Sequence, residues 1–343
     1  MTMIIRSKAP LRLGLAGGGT DVSPYSDRFG GAVLNATISL YAYATIEPLP
    51  AGSGIRICSI DKRCTENLDE LIKLPVNGTL DLIKGAYNRI VEQYTRKPLS
   101  FSITTYVDAP AGSGLGSSST LLIAVLGAFA EWLSLPLGDY DMARLAYEIE
   151  RVDLSMAGGK QDQYAATFGG VNFMEFSGNG KVIVNPLRIK DSVLNELSNN
   201  IILYYTETSR LSSAIIEKQQ RRVEEGINSS VEAMHEIKNL AVRMKEAILR
   251  GEIDLMGELL NLSWQYKKQM ADGITNPNID RIYDTALAAG ATGGKISGAG
   301  GGGFMFFYCP GNTRYRVIDA LGQFGGQAKR YDFTRTGLET WSY

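Results

Sequence analysis

The spacing of apolar and polar positions changes several times along the chain, and the changes outline its elements. Residues 2–8 and 31–48 read as strands; the second places Val33, Asn35 and Thr37 at period 2 and is rich in β-branched and aromatic residues. Residues 55–60 (IRICSI) give a short strand, and 101–107 (FSITTYV) alternates as another. Between them Leu82, Ile83, Ala86, Ile90, Val91 and Tyr94 recur at helical spacing, which predicts a helix over 79–95. The apolar run 121–133 (LLIAVLGAFAEWL) has the length of a buried helix, and 141–152 reads as a further helix. Residues 171–176 and 181–185 read as a hairpin around Ser177-Gly178-Asn179-Gly180.

Beyond residue 200 the texture changes. A strand at 201–206 is followed by three helical patterns, 212–225, 228–250 and 252–271. Asn276-Pro277 opens a helix over 278–289, because Asn caps and Pro suits the first helical position. A glycine-rich stretch, the strand FMFFYCP, a helix near 312–324 and a strand near 327–333 complete the chain. The pattern predicts two α+β units, each mixing an antiparallel sheet with helices, meeting between 186 and 200. The units are set at 1–190 and 191–343.

Composition narrows the chemistry. The 343 residues carry 35 Lys and Arg against 36 Asp and Glu, a net charge of −1, which gives no basis for a nucleic-acid or membrane-surface partner. No run reaches the ~18 apolar residues of a membrane span, and the N-terminus lacks the apolar core of a signal peptide. A cytoplasmic protein is expected; a homodimer is compatible with the sequence but not required by it. Three cysteines make no disulfide framework, and Cys58 and Cys64 lack a metal-ligand spacing. The single histidine, His235, lies in a long helical pattern without a partner motif, so chemistry falls to carboxylates, hydroxyls, Arg, Lys and backbone amides.

The 38 glycines are about 11% of the chain, where roughly 7% is usual. They concentrate in four blocks: 9–21, 110–119, 158–163 and 293–304. In the second, Pro110, Gly112, Gly114, Leu115, Gly116 and Ser117-Ser118-Ser119 join the end of a strand to the start of a helix. Small residues leave amides uncovered, and a helix N-terminus adds unpaired N–H groups and a positive dipole end, which suits a polyphosphate. The P-loop pattern GxxxxGK[ST] is absent, and GxGxxG at Gly298, Gly300 and Gly303 precedes a strand where a dinucleotide fold needs it to open a helix.

Together, Pro10-x-Arg12 with Gly17-Gly18-Gly19-Thr20-Asp21, Pro110 with Gly114-Leu115-Gly116-Ser117-Ser118, and Lys295-x-Ser297-Gly298-Ala299-Gly300-Gly301 resemble the three signature motifs of the GHMP small-molecule kinases, in family order. The resemblance implies the two-domain GHMP kinase fold: an N-terminal, ATP-binding unit like ribosomal protein S5 domain 2, and a ferredoxin-like C-terminal unit. Galactokinases end the first motif in Gly-Glu-His-Thr-Asp. The Gly-Gly-Gly-Thr-Asp version here is similar to the branch that phosphorylates heptose 7-phosphate at its anomeric oxygen for surface glycan synthesis. An unphosphorylated sugar acceptor, as in fucokinases or galactokinases, is the alternative within the family. A catalytically inactive ATP-binding protein and a dinucleotide-dependent oxidoreductase are the alternatives outside it.

The family match also assigns roles, with ATP and Mg²⁺ as cofactors and a sugar phosphate as the small-molecule partner. Asp162 matches the base and Arg12 the basic residue that holds it ionised. Residues 110–119 match the ATP-phosphate loop, and Ser118, with Ser117 as its rival, and Glu150 match the Mg²⁺ contacts. Gly18, Gly19, Thr20, Asp21, Lys160, Ser297, Gly298, Ala299, Gly300 and Gly301 are expected near the sugar. Lys160, Arg28, Lys295 and Arg210 are candidates for a distal phosphate of the substrate.

Overall fold

A computed structural model describes residues 3–207 and 212–343. The first part of the chain forms β1 (Ile5–Ala16), α1 (Tyr25–Phe29), β2 (Gly31–Pro48), β3 (Ile55–Ser59), β4 (Cys64–Leu68), α2 (Asp81–Ile90), β5 (Phe101–Val107), α3 (Ser117–Leu133), α4 (Asp139–Glu148), α5 (Gln161–Phe168), β6 (Val171–Phe176) and β7 (Val182–Pro186). The second part forms α6 (Asp191–Asn200), β8 (Ile201–Tyr205), α7 (Ser212–Glu224), α8 (Asn228–Arg250), α9 (Leu255–Met270), α10 (Pro277–Ala288), β9 (Gly293–Ile296), β10 (Phe304–Tyr308), α11 (Arg314–Leu321), β11 (Gln327–Lys329) and β12 (Glu339–Ser342). The Asn276 side chain accepts hydrogen bonds from the amides of Asn278 and Ile279, and Pro277 fills the first helical position, as the local sequence predicts.

Two sheets organise the chain. Eight strands form the first, in the order β12-β1-β2-β5-β3-β4, with β6 and β7 extending from the other half of β2. The long β2 accommodates this by pairing β6 through residues 31–36 and β5 through 42–48. All pairings are antiparallel except that of β3 with β5. The second sheet is antiparallel in the order β11-β8-β10-β9. The arrangement is the α+β fold expected from the alternating patterns.

Several elements depart from the sequence reading. β1 continues to Ala16 instead of stopping at 8, so Arg12 lies within a strand and not in a glycine turn. Leu11, Leu13 and Leu15 are fully buried there, and a strand buried on both faces shows no alternation. The last strand expected near 327–333 is only three residues, and a further strand, β12, returns to pair with β1. Phe333 bridges to Ile38 on the way, so the chain end packs with the first sheet.

α3 is apolar almost throughout because it packs against β1 and β2, with Leu122, Ile123, Val125, Leu126 and Phe129 fully buried. Its burial fixes the direction of its N-terminus, and with it the position of the 110–119 loop.

Candidate active site

A cavity of about 850 Å³ opens where the 110–119 loop, the N-termini of α3 and α5, the 17–22 turn and the 297–299 segment converge. Gly112, Gly114 and Gly116 have φ of 72°, 87° and 77°, the left-handed region in which glycine is unstrained. Gly116 sits at the cap position of α3, so the unpaired amides of the first turn face the cavity, which Gly112, Gly114, Gly116, Ser117, Ser118 and Ser119 all line. Pro110 and Leu115 are not on its wall. Pro110 closes the turn by accepting the Ser113 amide at 3.2 Å, and the buried Leu115 accepts the Arg12 amide at 3.2 Å.

The fourth glycine block supports the second. A side chain on Gly298 would meet Gly114 Cα at 2.6 Å, and one on Gly303 would meet the Ser113 carbonyl at 2.4 Å. Ser297 Oγ donates to the Gly114 carbonyl at 2.8 Å, and the Phe304 amide donates to that of Ser113 at 2.9 Å. Ser297 is therefore engaged with the loop. The amide of Gly301 goes to Ile274 at 2.8 Å, and neither it nor Gly300 lines the cavity. Gly298 and Ala299 do.

Arg12 and Asp162 meet at the centre. Arg12 Nε donates to Asp162 Oδ1 at 2.7 Å, Nη2 lies 2.7 Å from the same oxygen, and Nη1 donates to the Gly114 carbonyl. Arg12 thus ties the carboxylate to the phosphate loop. Asp162 Oδ2 receives no hydrogen bond from the described residues, and a side chain on Gly116 would lie 3.2 Å from it. That oxygen therefore stands over the N-terminus of α3.

Asp21 occupies a different environment. It is buried, and its Oδ2 accepts from the amides of Lys160 at 2.9 Å and Gln161 at 3.0 Å. Its Oδ1 accepts from the Gly19 amide at 3.1 Å and Gln161 Nε2 at 3.2 Å. Burial pushes its carboxyl above the usual range; the Gln161 amide opposes this and the nearby Asp162 charge adds to it. Asp21 holds the start of α5, the helix that presents Asp162. Thr20 is fully buried and donates to the carbonyls of Gly17 and Ala32, so it fastens the turn and does not line the cavity. Gly18 and Gly19 reach the wall.

Glu150 follows α4, where the chain widens into a single π turn over Ile149–Asp153. It is fully buried, with Oε2 accepting from Ser119 Oγ at 2.7 Å and from Gln163. Its Oε1 has no hydrogen-bond partner among the described residues, an arrangement that suits a hard cation or its water. Among the described residues the Ser118 hydroxyl, like that of Ser117, has no hydrogen-bond partner and lines the cavity, whereas Ser119 Oγ is spent on Glu150. No group of three or more His, Cys, Asp or Glu gathers among the described residues, so a cation here would draw most of its ligands from phosphate and water.

Of the four cations considered for a distal phosphate, two are engaged elsewhere. Lys160 lies 3.6 Å from Asp27 and over the Tyr147 ring, and Arg28 donates to the Val223 carbonyl at 3.1 Å. Arg210 falls outside the described residues. Lys295 is buried on the cavity wall. Beside it stands Lys267 from α9, which the sequence reading missed. Its signal was present: Met256, Leu260, Ser263, Trp264, Lys267 and Met270 form one buried helical stripe, so a lysine occupies a core position.

A glycine-lined phosphate loop at a helix start, with an Arg–carboxylate pair over it, defines a small-molecule phosphotransferase. The chain belongs to the GHMP kinase family: the GHMP kinases N terminal domain matches residues 81–170, and the GHMP kinases C terminal matches 244–327. It is 49% identical over 337 residues to D-glycero-alpha-D-manno-heptose 7-phosphate kinase of Campylobacter jejuni, covering 98% of each chain. It is 28% identical to the L-fucokinase/L-fucose-1-P guanylyltransferase of Bacteroides fragilis, covering 88% of this chain and 34% of that one. A crystal structure of a D-glycero-D-manno-heptose 1-phosphate kinase from Bacteriodes thetaiotaomicron superposes with a TM-score of 0.84 at 46% identity, covering 98% of each chain. A galactokinase from Lactococcus lactis, at 18% identity and a TM-score of 0.78, shares the fold. The protein is a kinase that uses ATP.

Proposed function

We propose that the protein transfers the γ-phosphoryl group of ATP to the anomeric O1 of D-glycero-D-manno-heptose 7-phosphate, giving the 1,7-bisphosphate for GDP-heptose and surface glycan synthesis. One observation carries the mechanism. Asp162 presents an open oxygen over the N-terminus of α3, with Arg12 on its other oxygen. In that place the first-turn amides and the loop cradle the ATP phosphates. Asp162 Oδ2 accepts the proton of the anomeric hydroxyl as O1 bonds to the γ-phosphorus and the bond to ADP breaks. Arg12 orients the carboxylate and offsets charge growing on the phosphoryl oxygens. Ser118 and Glu150 are the residues that would hold Mg²⁺, which neutralises phosphate charge when bound.

The substrate follows from the relatives' names, and those names place a phosphate on the sugar at different positions. An assay of ATP consumption with heptose 7-phosphate, heptose 1-phosphate, heptose and fucose separates the readings. Heptose 7-phosphate is expected to give the highest kcat/KM, and a preference for another of these sugars would replace it. The N-terminal unit is placed at 1–190, joined by the returning β12, and the C-terminal unit covers the rest. We place the reaction in the cytoplasm, where ATP is made and used. No helix among the described residues is long and apolar enough to cross a membrane.

A further inference from the structure

Three cations crowd one wall of the cavity: Arg12 from β1, Lys267 from α9 and Lys295 from β9. Arg12 is balanced by Asp162. The two lysines are 5% and 3% exposed, and among the described residues neither forms an ion pair. Lys267 Nζ donates to the Gly298 carbonyl and Lys295 Nζ to that of Leu15, at 3.2 Å for the second. A buried ammonium without a carboxylate is costly, and one carbonyl does not offset the loss of water. Burial lowers both lysines from their ordinary range; for Lys267 the Arg12 charge adds to this and the Asp21 charge opposes it, leaving it at about 8, and for Lys295 the charges of Lys267 and Arg12 add to it.

The missing counter-charge has a place to sit. Gly298, which takes the Lys267 hydrogen bond, packs directly on Gly114 of the phosphate loop. Gly114 in turn takes a hydrogen bond from Arg12. Lys267 is thus fastened to the segment beneath the reacting end of a bound triphosphate, on the side where Arg12 and Asp162 meet. We propose that Lys267 is a further catalytic residue whose ammonium contacts the γ-phosphoryl group of ATP and holds it through transfer. The proposal rests on reading the cavity as an ATP site and not on the identity of the sugar. Lys295 lies behind it on the same wall. The charged groups facing Lys267 are Arg12, Lys295 and the Asp21 carboxylate, with Asp162 beyond Arg12.

The test compares the binding of ADP and of a nonhydrolysable ATP analogue to the wild-type chain, K267M and K267R, by calorimetry without sugar. A charge-assisted contact to the γ-phosphate is worth roughly 10- to 100-fold in affinity. The expected result is a loss of that size for the analogue in K267M, less than about twofold for ADP, and partial recovery in K267R. In the wild type the preference for the analogue declines as the pH rises through about 8, where Lys267 loses its proton, and K267R keeps it. K267M is expected to melt no lower than the wild type at pH 7. The depressed lysine contributes stability only above its unfolded pKa and loses it as the pH falls through about 8. Equal weakening of both nucleotides, a lower melting temperature in K267M, or loss of sugar-phosphate binding with the analogue unaffected would each overturn the proposal. No sugar turnover by the wild type would instead remove the substrate reading and leave this test intact.

Discussion

Asp21 and Asp162 are the same residue type, lie close enough to feel each other's charge, and both meet the first turn of α5. Their situations are opposite. Asp21 is 1% exposed and accepts four hydrogen bonds, two from the backbone of Lys160 and Gln161. Asp162 has a 21% exposed side chain, spends one oxygen on Arg12 and leaves the other open to the cavity. A carboxylate whose oxygens are both engaged by donors holds a backbone in place and has no oxygen to offer a substrate hydroxyl. Partner saturation, and not residue type or nearness to the cavity, separates the anchor from the base.

Substitutions break this comparison in order of size. D162N keeps the shape and loses the basic oxygen, so kcat is expected to fall by about 10²- to 10⁴-fold. Nucleotide affinity stays near wild type, as titration calorimetry would show. Next is G298A, which strikes the support under the phosphate loop. Its φ of 69° and the 2.6 Å approach to Gly114 force both strain and displacement. A loss of about 2–4 kcal/mol in denaturant unfolding is expected, together with weaker ATP binding. D21N then tests the anchor: it places an NH₂ group where two backbone amides donate, and about 1–3 kcal/mol of stability should go. The fall in kcat should stay well short of that in D162N. S119A comes last. It removes one hydrogen bond from Glu150, about 1 kcal/mol or less, and should raise the Mg²⁺ needed for half-maximal rate less than S118A does.

The parts legible in the sequence were those with a local cause. The 110–119 loop was readable because glycines and serines between a strand and a helix leave few other conformations. α8 runs from 228 to 250 as its apolar stripe predicts. Other features were hidden for physical reasons. β1 carries no alternation through Arg12, since both its faces are buried. The short α5 has no strong cap of its own and borrows one from Asp21, 139 and 140 residues away, so nothing local announces it. The pairing of β12 with β1 joins the two ends of the chain, which no local pattern encodes. Motif three was expected near the sugar; Gly298 and Ala299 line the cavity, but Gly298 and Gly303 also pack on the backbone of Gly114 and Ser113 in motif two and Gly300 packs on Ile274; spacing shows that glycine is needed, but not against what. Lys267 was overlooked because Lys267-Lys268 reads as a charged face, although only Lys267 lies on the buried stripe.

The central claim is that Asp162 and Arg12, set over the phosphate loop, move a phosphoryl group from ATP to the anomeric oxygen of a heptose phosphate. Phosphorus NMR of a single turnover with ATP and heptose 7-phosphate tests it most directly. With the wild type, ADP and an equal amount of a new phosphate ester coupled to the anomeric proton are expected, and with D162N neither on the same timescale. Release of inorganic phosphate alone, an ester at another position, or the same ester formed as fast by D162N would contradict it.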